Sequence, residues 1–328
     1  MTKTTPENLT LVLGATGTTG RRVAERLVAR GVPVRLGSRS AEPPFDWEDE
    51  TTWAPVLAGV RAAYLVYAPD LVMTGAVDAV GRFADLAVAG GVRRLVLLSG
   101  RGEAEAQRAE QVVLGAGAEA GAEVTIVRSA FFAQDFSEKF FVDSVLAGTL
   151  AMPARKDVGE PFVDADDIAD VVVAALTETA LTETALTETA LTETALTETA
   201  LTETALTETA LTETALTETA LTEDGHAGEI YEVTGPRLLT FPEALAEISR
   251  AAGRELVYVQ ITPEEFAAGL TAEGLPNDLV VALTEVASTV LDGRSSHLAD
   301  GVRRALGREP RDFADYTRAA AATGVWDR

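Results

Sequence analysis

Apolar residues in this chain gather into short runs separated by helical stretches. The runs are LTLVLGA from Leu9, then VPVRLGS, AAYLVYAP, RRLVLLSG and VTIVRSA. Runs of this length, rich in Val and Leu, predict strands buried on both faces. Between them lie stretches such as AVDAVGRFADLAVAGG, whose apolar residues recur at helical spacing. Strands that alternate with helices predict an α/β fold built on a doubly wound parallel sheet. The sheet resumes with EIYEVTG around Tyr231. Beyond Pro236 the pattern turns mostly helical, with one short strand, LVYVQI, and helix starts at TFPE and TPEE. In both starts Thr can cap the helix and Pro fits its first turn.

The first run breaks at Gly14, Gly17 and Gly20, spaced by three, and continues as the amphipathic RRVAERLVARG. A strand, a glycine loop and a helix in this order make a phosphate-binding unit of the Rossmann type. Gly14 permits the turn, Gly17 lets backbone approach a pyrophosphate, and Gly20 lets the helix pack on the sheet. The helix start then offers unpaired N–H groups to the anion. The predicted cofactor contacts here are Gly14, Thr16, Gly17, Thr18, Thr19 and Gly20. A carboxylate at the end of the second strand would favour NAD, and an arginine NADP. This chain places Ser38 and Arg39 there, with Arg35 earlier on the strand, which predicts NADP over NAD. Asp46, farther on, is expected beside the adenine rather than the ribose.

Composition narrows the chemistry. Of the 328 residues, 47% are hydrophobic, enough for a large core, and none is cysteine, which removes disulfides, thiolate metal sites and a cysteine nucleophile. The only histidines are His226 and His297, so a histidine-rich metal cluster is excluded and a serine–histidine triad is not expected. A net charge of −24 argues against a nucleic-acid surface. No apolar stretch reaches the length of a membrane span, and MTKTTPENLT lacks the regions of a signal peptide. The expectation is a soluble, cytoplasmic protein without a membrane or nucleic-acid partner.

From Ala175 to Thr219 the pentad ALTET repeats nine times without deviation, and a variant copy, ALTED, ends at Asp224. Deleting those 45 residues joins VVVAALTEDGHAGEIYEVTGP, a helix that stops at Asp-Gly and leads into a strand. The tract therefore reads as an expansion of one helix's last turn. Ala, Leu and Glu favour helix while the threonines oppose it. A period of five advances about 140° per copy, so leucines would spiral over every face. Read as TALTE, the unit resembles the pentapeptide-repeat family, with Thr179, Leu181 and Thr182 in that family's pattern and Ala180 where Asp or Asn is usual. That resemblance implies a compact β-solenoid; a helical form and disorder are the alternatives. The reading divides the chain into a dinucleotide-binding domain at 7–174, a repeat insertion at 175–224, a return strand at 225–235 and a C-terminal substrate lobe at 236–328.

Apart from the repeat, the chain resembles the NmrA-like family of atypical short-chain dehydrogenases/reductases. The resemblance is carried by GATGTTG at Gly14–Gly20, LVLLSG with Ser99, TIVRSAFFAQDF from Thr125, FVDADDIADVVVAAL from Phe162 and YEVTGPRLLTFPEALAEIS from Tyr231. It implies a Rossmann-like fold, NAD(P) binding and a substrate lobe. It also places Asp166 and Asp167 in the sheet-to-helix segment, where capping is their expected role, and matches Glu110 to a glutamate such helices often carry. The family divides between reductases and cofactor sensors that act through protein partners.

Ordinary short-chain reductases pair Tyr and Lys at i and i+4, the Tyr donating a proton. Ser99 holds the usual serine place, as a candidate for catalysis and cofactor contact. None of the five tyrosines has a lysine four residues on, and EAEAQRAEQVVLGAG contains neither type. This loss disfavours ordinary ketone chemistry and leaves quinone-like acceptors, with Phe131, Phe132 and Phe136 as a candidate apolar wall or, equally, as core. The expected function is an NADPH-dependent reductase of a small quinone-like acceptor; the alternative is a redox sensor without turnover.

Overall fold

The computed structural model describes residues 8–178 and 225–327. Six parallel strands form the central sheet: β1 (Leu9–Leu13), β2 (Val34–Gly37), β3 (Val60–Leu65), β4 (Arg94–Gly100), β5 (Glu123–Ser129) and β8 (Ile230–Val233), in the order β2-β1-β3-β4-β5-β8. The order reverses next to β1, so the crevice of a doubly wound sheet opens above its carboxyl end. The expected fold class is the observed one.

Every residue of β1 is buried because helices cover both faces. On one face Leu9, Leu11 and Leu13 pack with Leu95 and Leu97 of β4 against α3 (Ala76–Ala89) and α4 (Ala104–Ala120). On the other, Val12 and Val96 meet α1 (Thr18–Ala29) and α6 (Ala165–Thr177). Alternation along each strand thus feeds two separate cores. A short helix, α2 (Trp53–Leu57), leads into β3.

The second lobe is built from two stretches of chain. The segment after β5 supplies α5 (Val142–Ala147), β6 (Thr149–Met152) and β7 (Gly159–Glu160). The segment after β8 supplies β9 (Leu239–Thr240), α7 (Phe241–Ala252), β10 (Val257–Gln260), α8 (Pro263–Ala272), α9 (Asn277–Thr289), α10 (Gly301–Leu306) and α11 (Phe313–Ala322). β10 pairs parallel with β6, and β9 antiparallel with β7. An aromatic core of Phe136, Phe141, Phe162, Phe241, Phe313, Tyr316 and Trp326 joins the two stretches. The lobe therefore draws on residues 131–162 as well as on those after 236. Both expected helix starts hold: Thr240 with Glu243, and Thr262 with Glu265, form reciprocal capping boxes.

At the start of α6 the capping role differs from expectation. Asp164 is the cap, accepting from the Asp166 amide. Asp166 instead pairs with Arg22 and Arg26 of α1, and the wholly buried Asp167 with Arg308 and Arg311. These charges tie the helix to α1 and to the chain after α10.

Of the repeat, Ala175, Leu176 and Thr177 complete α6 and Glu178 follows it. The solenoid and helical expectations for the tract fall on residues outside those described. Its described flanks meet at the amino end of the sheet, where His226 Nε2 lies 3.4 Å from Glu178 Oε2 and its Nδ1 2.8 Å from the Tyr231 hydroxyl.

Candidate functional site

The glycine loop closes between β1 and α1. Gly14 has φ +59°, a conformation that side chains disfavour, and donates no room: an added Cβ would meet the Val66 side chain. At Gly20 an added Cβ would collide with the carbonyl groups of Leu13 and Gly14. Gly17 is different. Its φ of −85° suits any residue, and an added Cβ would touch only the Gly14 carbonyl oxygen, at 3.2 Å. The protein's own packing thus excludes a side chain at the first and third glycines and crowds one at the second less severely, where the space above the loop is the further constraint. Gly17 also caps α1 without a side-chain hydrogen bond, and the first turn holds no acid. The N-terminus of α1 is left for an anion, and these residues fit the pyrophosphate of a dinucleotide.

The threonines of the loop separate. Thr16 is exposed at the tip, whereas Thr18 and Thr19 are buried and Thr19 Oγ1 accepts from the Tyr64 hydroxyl at 2.9 Å. At the end of β2, Arg39 is exposed with no ion pair among the described residues, beside Ser38, whose Oγ lies 3.3 Å from that of Ser40. Arg35 turns away and donates to the carbonyls of Val56 and Ala58. Asp46 closes a local turn, its carboxylate accepting from the Glu48 amide at 3.1 Å.

Ser99 lies at the end of β4 on the face that packs against α4. Its hydroxyl donates to Glu110 Oε1 at 2.6 Å. Glu110, 0% exposed, also receives Arg128 through two contacts of 2.9 and 2.5 Å, and Arg128 continues to Glu232. Charge-assisted hydrogen bonds from the buried Glu110 raise the affinity of Arg128 for its proton well above the ordinary arginine range. Arg101, next along, is buried against Glu232, the Ser295 carbonyl and His297. This chain of contacts is satisfied at every step.

The three phenylalanines do not form one wall. Phe136 is fully buried in the aromatic core, which corrects its place in the candidate pocket. Phe131 stacks on Phe141 at 5.7 Å toward the second lobe, and Phe132 turns toward the α1/α6 core. Both remain half-buried at the end of β5.

Three further acids stand at this edge. Glu160 on β7 is 4% exposed, with one weak contact from the Phe131 amide at 3.4 Å. Burial pushes its carboxyl up to about 7, against the pull of that amide and of Arg101. Glu103 opens α4, and burial together with the charge of Asp70 pushes it up to about 8. Asp70, in the loop after β3, is raised by burial although the Val72 and Leu71 amides oppose this. Sequence reasoning missed Asp70, Arg101 and Glu103. The available signal was charge directly after a strand end, in YAPD and SGRGE. Among the described residues no group of His, Asp or Glu could hold a metal ion, and no helix is long and apolar enough to cross a membrane.

No family model matches the chain. Agroclavine dehydrogenase of Claviceps fusiformis is 27% identical over 319 residues, covering 93% of this chain and 95% of its own. Among solved structures, an NADPH-dependent quinone oxidoreductase of Escherichia coli complexed with NADPH has a TM-score of 0.67 at 17% identity, covering 95% of this chain and 99% of its own. NmrA, a negative transcriptional regulator solved with NADP, has a TM-score of 0.60 at 14% identity, covering 97% of each chain. The fold is that of Rossmann-like NAD(P)-binding proteins.

Proposed function

We propose that the protein binds NADP(H) along the carboxyl end of its sheet and reduces a small, planar acceptor of the quinone class. The observation that carries this reading is Gly17, a glycine that φ does not demand and that packing crowds at one carbonyl oxygen only, at the uncapped start of α1. The first-turn amides of α1 would hold the pyrophosphate. Arg39, with Ser38 and Ser40, would take the 2′-phosphate, since no carboxylate stands there to prefer a free ribose hydroxyl. The bound nicotinamide supplies hydride. Phe131 offers apolar surface at the end of β5 on which a flat acceptor can lie. The small-molecule acceptor explains the second lobe, whose β7 and aromatic core stand over that edge.

A sensor without turnover is the second reading, favoured by one observation. Ser99, the residue in the usual serine place, spends its hydroxyl on Glu110, and Arg128 clamps that glutamate in turn. A protein partner would then read the cofactor state. Calorimetry with NADPH and NADH, followed by NADPH oxidation against a panel of benzoquinones and naphthoquinones, separates the two. Tight NADPH binding with quinone turnover is the expected result; tight binding without turnover on any acceptor would establish the sensor.

A further inference from the structure

Reduction of a quinone requires protons as well as hydride, and the usual tyrosine donor is missing. At the ends of β3, β4 and β5 most polar groups are already engaged. Ser99 and Glu110 hold each other, and Arg101 is spent on Glu232, Ser295 and His297. Glu160 is sealed beneath the Phe131 amide.

Glu103 is neither engaged nor sealed. It occupies the cap position of α4 but makes no capping hydrogen bond. Its carboxylate folds back over the end of β4: a Cβ added to Gly100 would lie 2.5 Å from its Cδ and Oε1. The carboxylate thus lies directly beside Gly100, at the carboxyl end of β4. The side chain is partly exposed, with no hydrogen bond or ion pair among the described residues. The charged groups around it come from three segments. Asp70 follows β3, the strand that pairs with β4 in register Leu65 to Leu97. Arg101, two residues back, is occupied as described. Arg294 packs on Gly102 and is paired with Asp292. Burial, and with it the charge of Asp70, pushes this carboxyl up to about 8, so it keeps its proton at neutral pH.

We propose that Glu103 is the proton donor of the reduction, delivering its proton to an oxygen of the acceptor as hydride arrives. This rests on the reductase reading above. In that step a C–H bond of the reduced nicotinamide breaks and its hydrogen, with the electron pair, bonds to the acceptor, while an O–H bond forms on the acceptor's oxygen and the Glu103 O–H bond breaks. The nicotinamide is oxidised, and solvent returns a proton to the carboxylate. Asp70 acts on the reaction through Glu103, as a positioning charge that keeps the donor protonated.

Glu103→Gln keeps the shape and removes the proton. NADPH affinity by calorimetry should change less than about twofold, while kcat with a neutral benzoquinone should fall by about 100-fold, the lower range of general-acid contributions. The wild-type rate should decline above about pH 8, where the carboxyl ionises, and that alkaline limb should vanish in the variant. Carbon-detected NMR of 13C-glutamate-labelled protein without cofactor should show one carboxyl titrating near 8 that Glu103→Gln removes. Asp70→Asn should move both that titration and the alkaline limb to lower pH. Wild-type rate and an intact alkaline limb in Glu103→Gln would overturn the proposal and leave the reductase standing. Absence of turnover in the wild type would overturn both.

Discussion

The two edges of the central sheet are built on opposite terms. At the amino edge several charged and polar groups are closed onto partners: Arg94 onto Glu123 and the Leu176 carbonyl, Thr125 onto the His226 carbonyl, and Arg304 onto Glu229. At the carboxyl edge the helix start is uncapped, Arg39 is free, and Asp70, Glu103 and Glu160 lack cations dedicated to them. Unpaired polar groups cost folding free energy. A fold that satisfies one edge and leaves the other open marks the open edge as the place where something binds. The contrast locates function by an energetic argument, without reference to any particular side chain.

Four experiments would break or sharpen it. The largest effect is expected for Gly17→Val, whose side chain would fill the space over the loop. Affinity for NADPH and for NADH should both fall, by more than about 3 kcal/mol, because several charge-assisted hydrogen bonds are lost together. Unchanged binding in calorimetry would reduce the loop to a turn. Next, Arg39→Ala should weaken NADPH by about 1.5 to 3 kcal/mol and NADH hardly at all. Equal weakening would remove Arg39 from the 2′-phosphate.

The third concerns stability. Glu103, Glu160 and Asp135 all hold protons more tightly in the folded chain than free carboxyls do, with burial as the first cause. Their protonated forms suit the fold and their ionised forms oppose it. Stability should thus fall steadily as pH rises from about 5 to 8.5, and urea melts across this range would register it. A flat profile would mean that these acids find compensation. The paired acids Asp170, Glu232 and Asp312 are shifted downward and are already ionised throughout that window.

Deletion of residues 175–219 should have the smallest effect. It removes nine pentads whose described flanks lie at the closed edge and brings Glu223 into the sequence place of Glu178. The shortened chain should bind NADPH within about twofold, or less than 0.5 kcal/mol, of the full protein. A large loss of affinity in a folded variant would tie the closed edge to the open one.

Much of this was legible in the residues themselves. Strand and helix alternation revealed the sheet, because buried parallel strands must be apolar on both faces, and the two starts, TFPE and TPEE, revealed their caps. The glycine loop was legible as a pattern, yet only the backbone distinguishes Gly17 from its neighbours. The open edge was not legible. Asp70 and Glu103 are 33 positions apart and become neighbours only because β3 and β4 pair. Capping by Asp164 rather than Asp166 was a matter of two residues, decided when Arg22 and Arg26 claimed Asp166. Phe136 and Phe131 look alike in a string of letters, and the aromatic core takes the first whole and the second in part.

Glu178 and His226 touch across a tract of 47 intervening residues. The folded core has already brought these two anchors together, so one copy of the pentad could span the gap as well as ten. The fold carries no ruler for the tract. Each added copy would bring five residues and one negative charge to a join whose two anchors already lie together. On this view, length variation here would register as a change in bulk and charge.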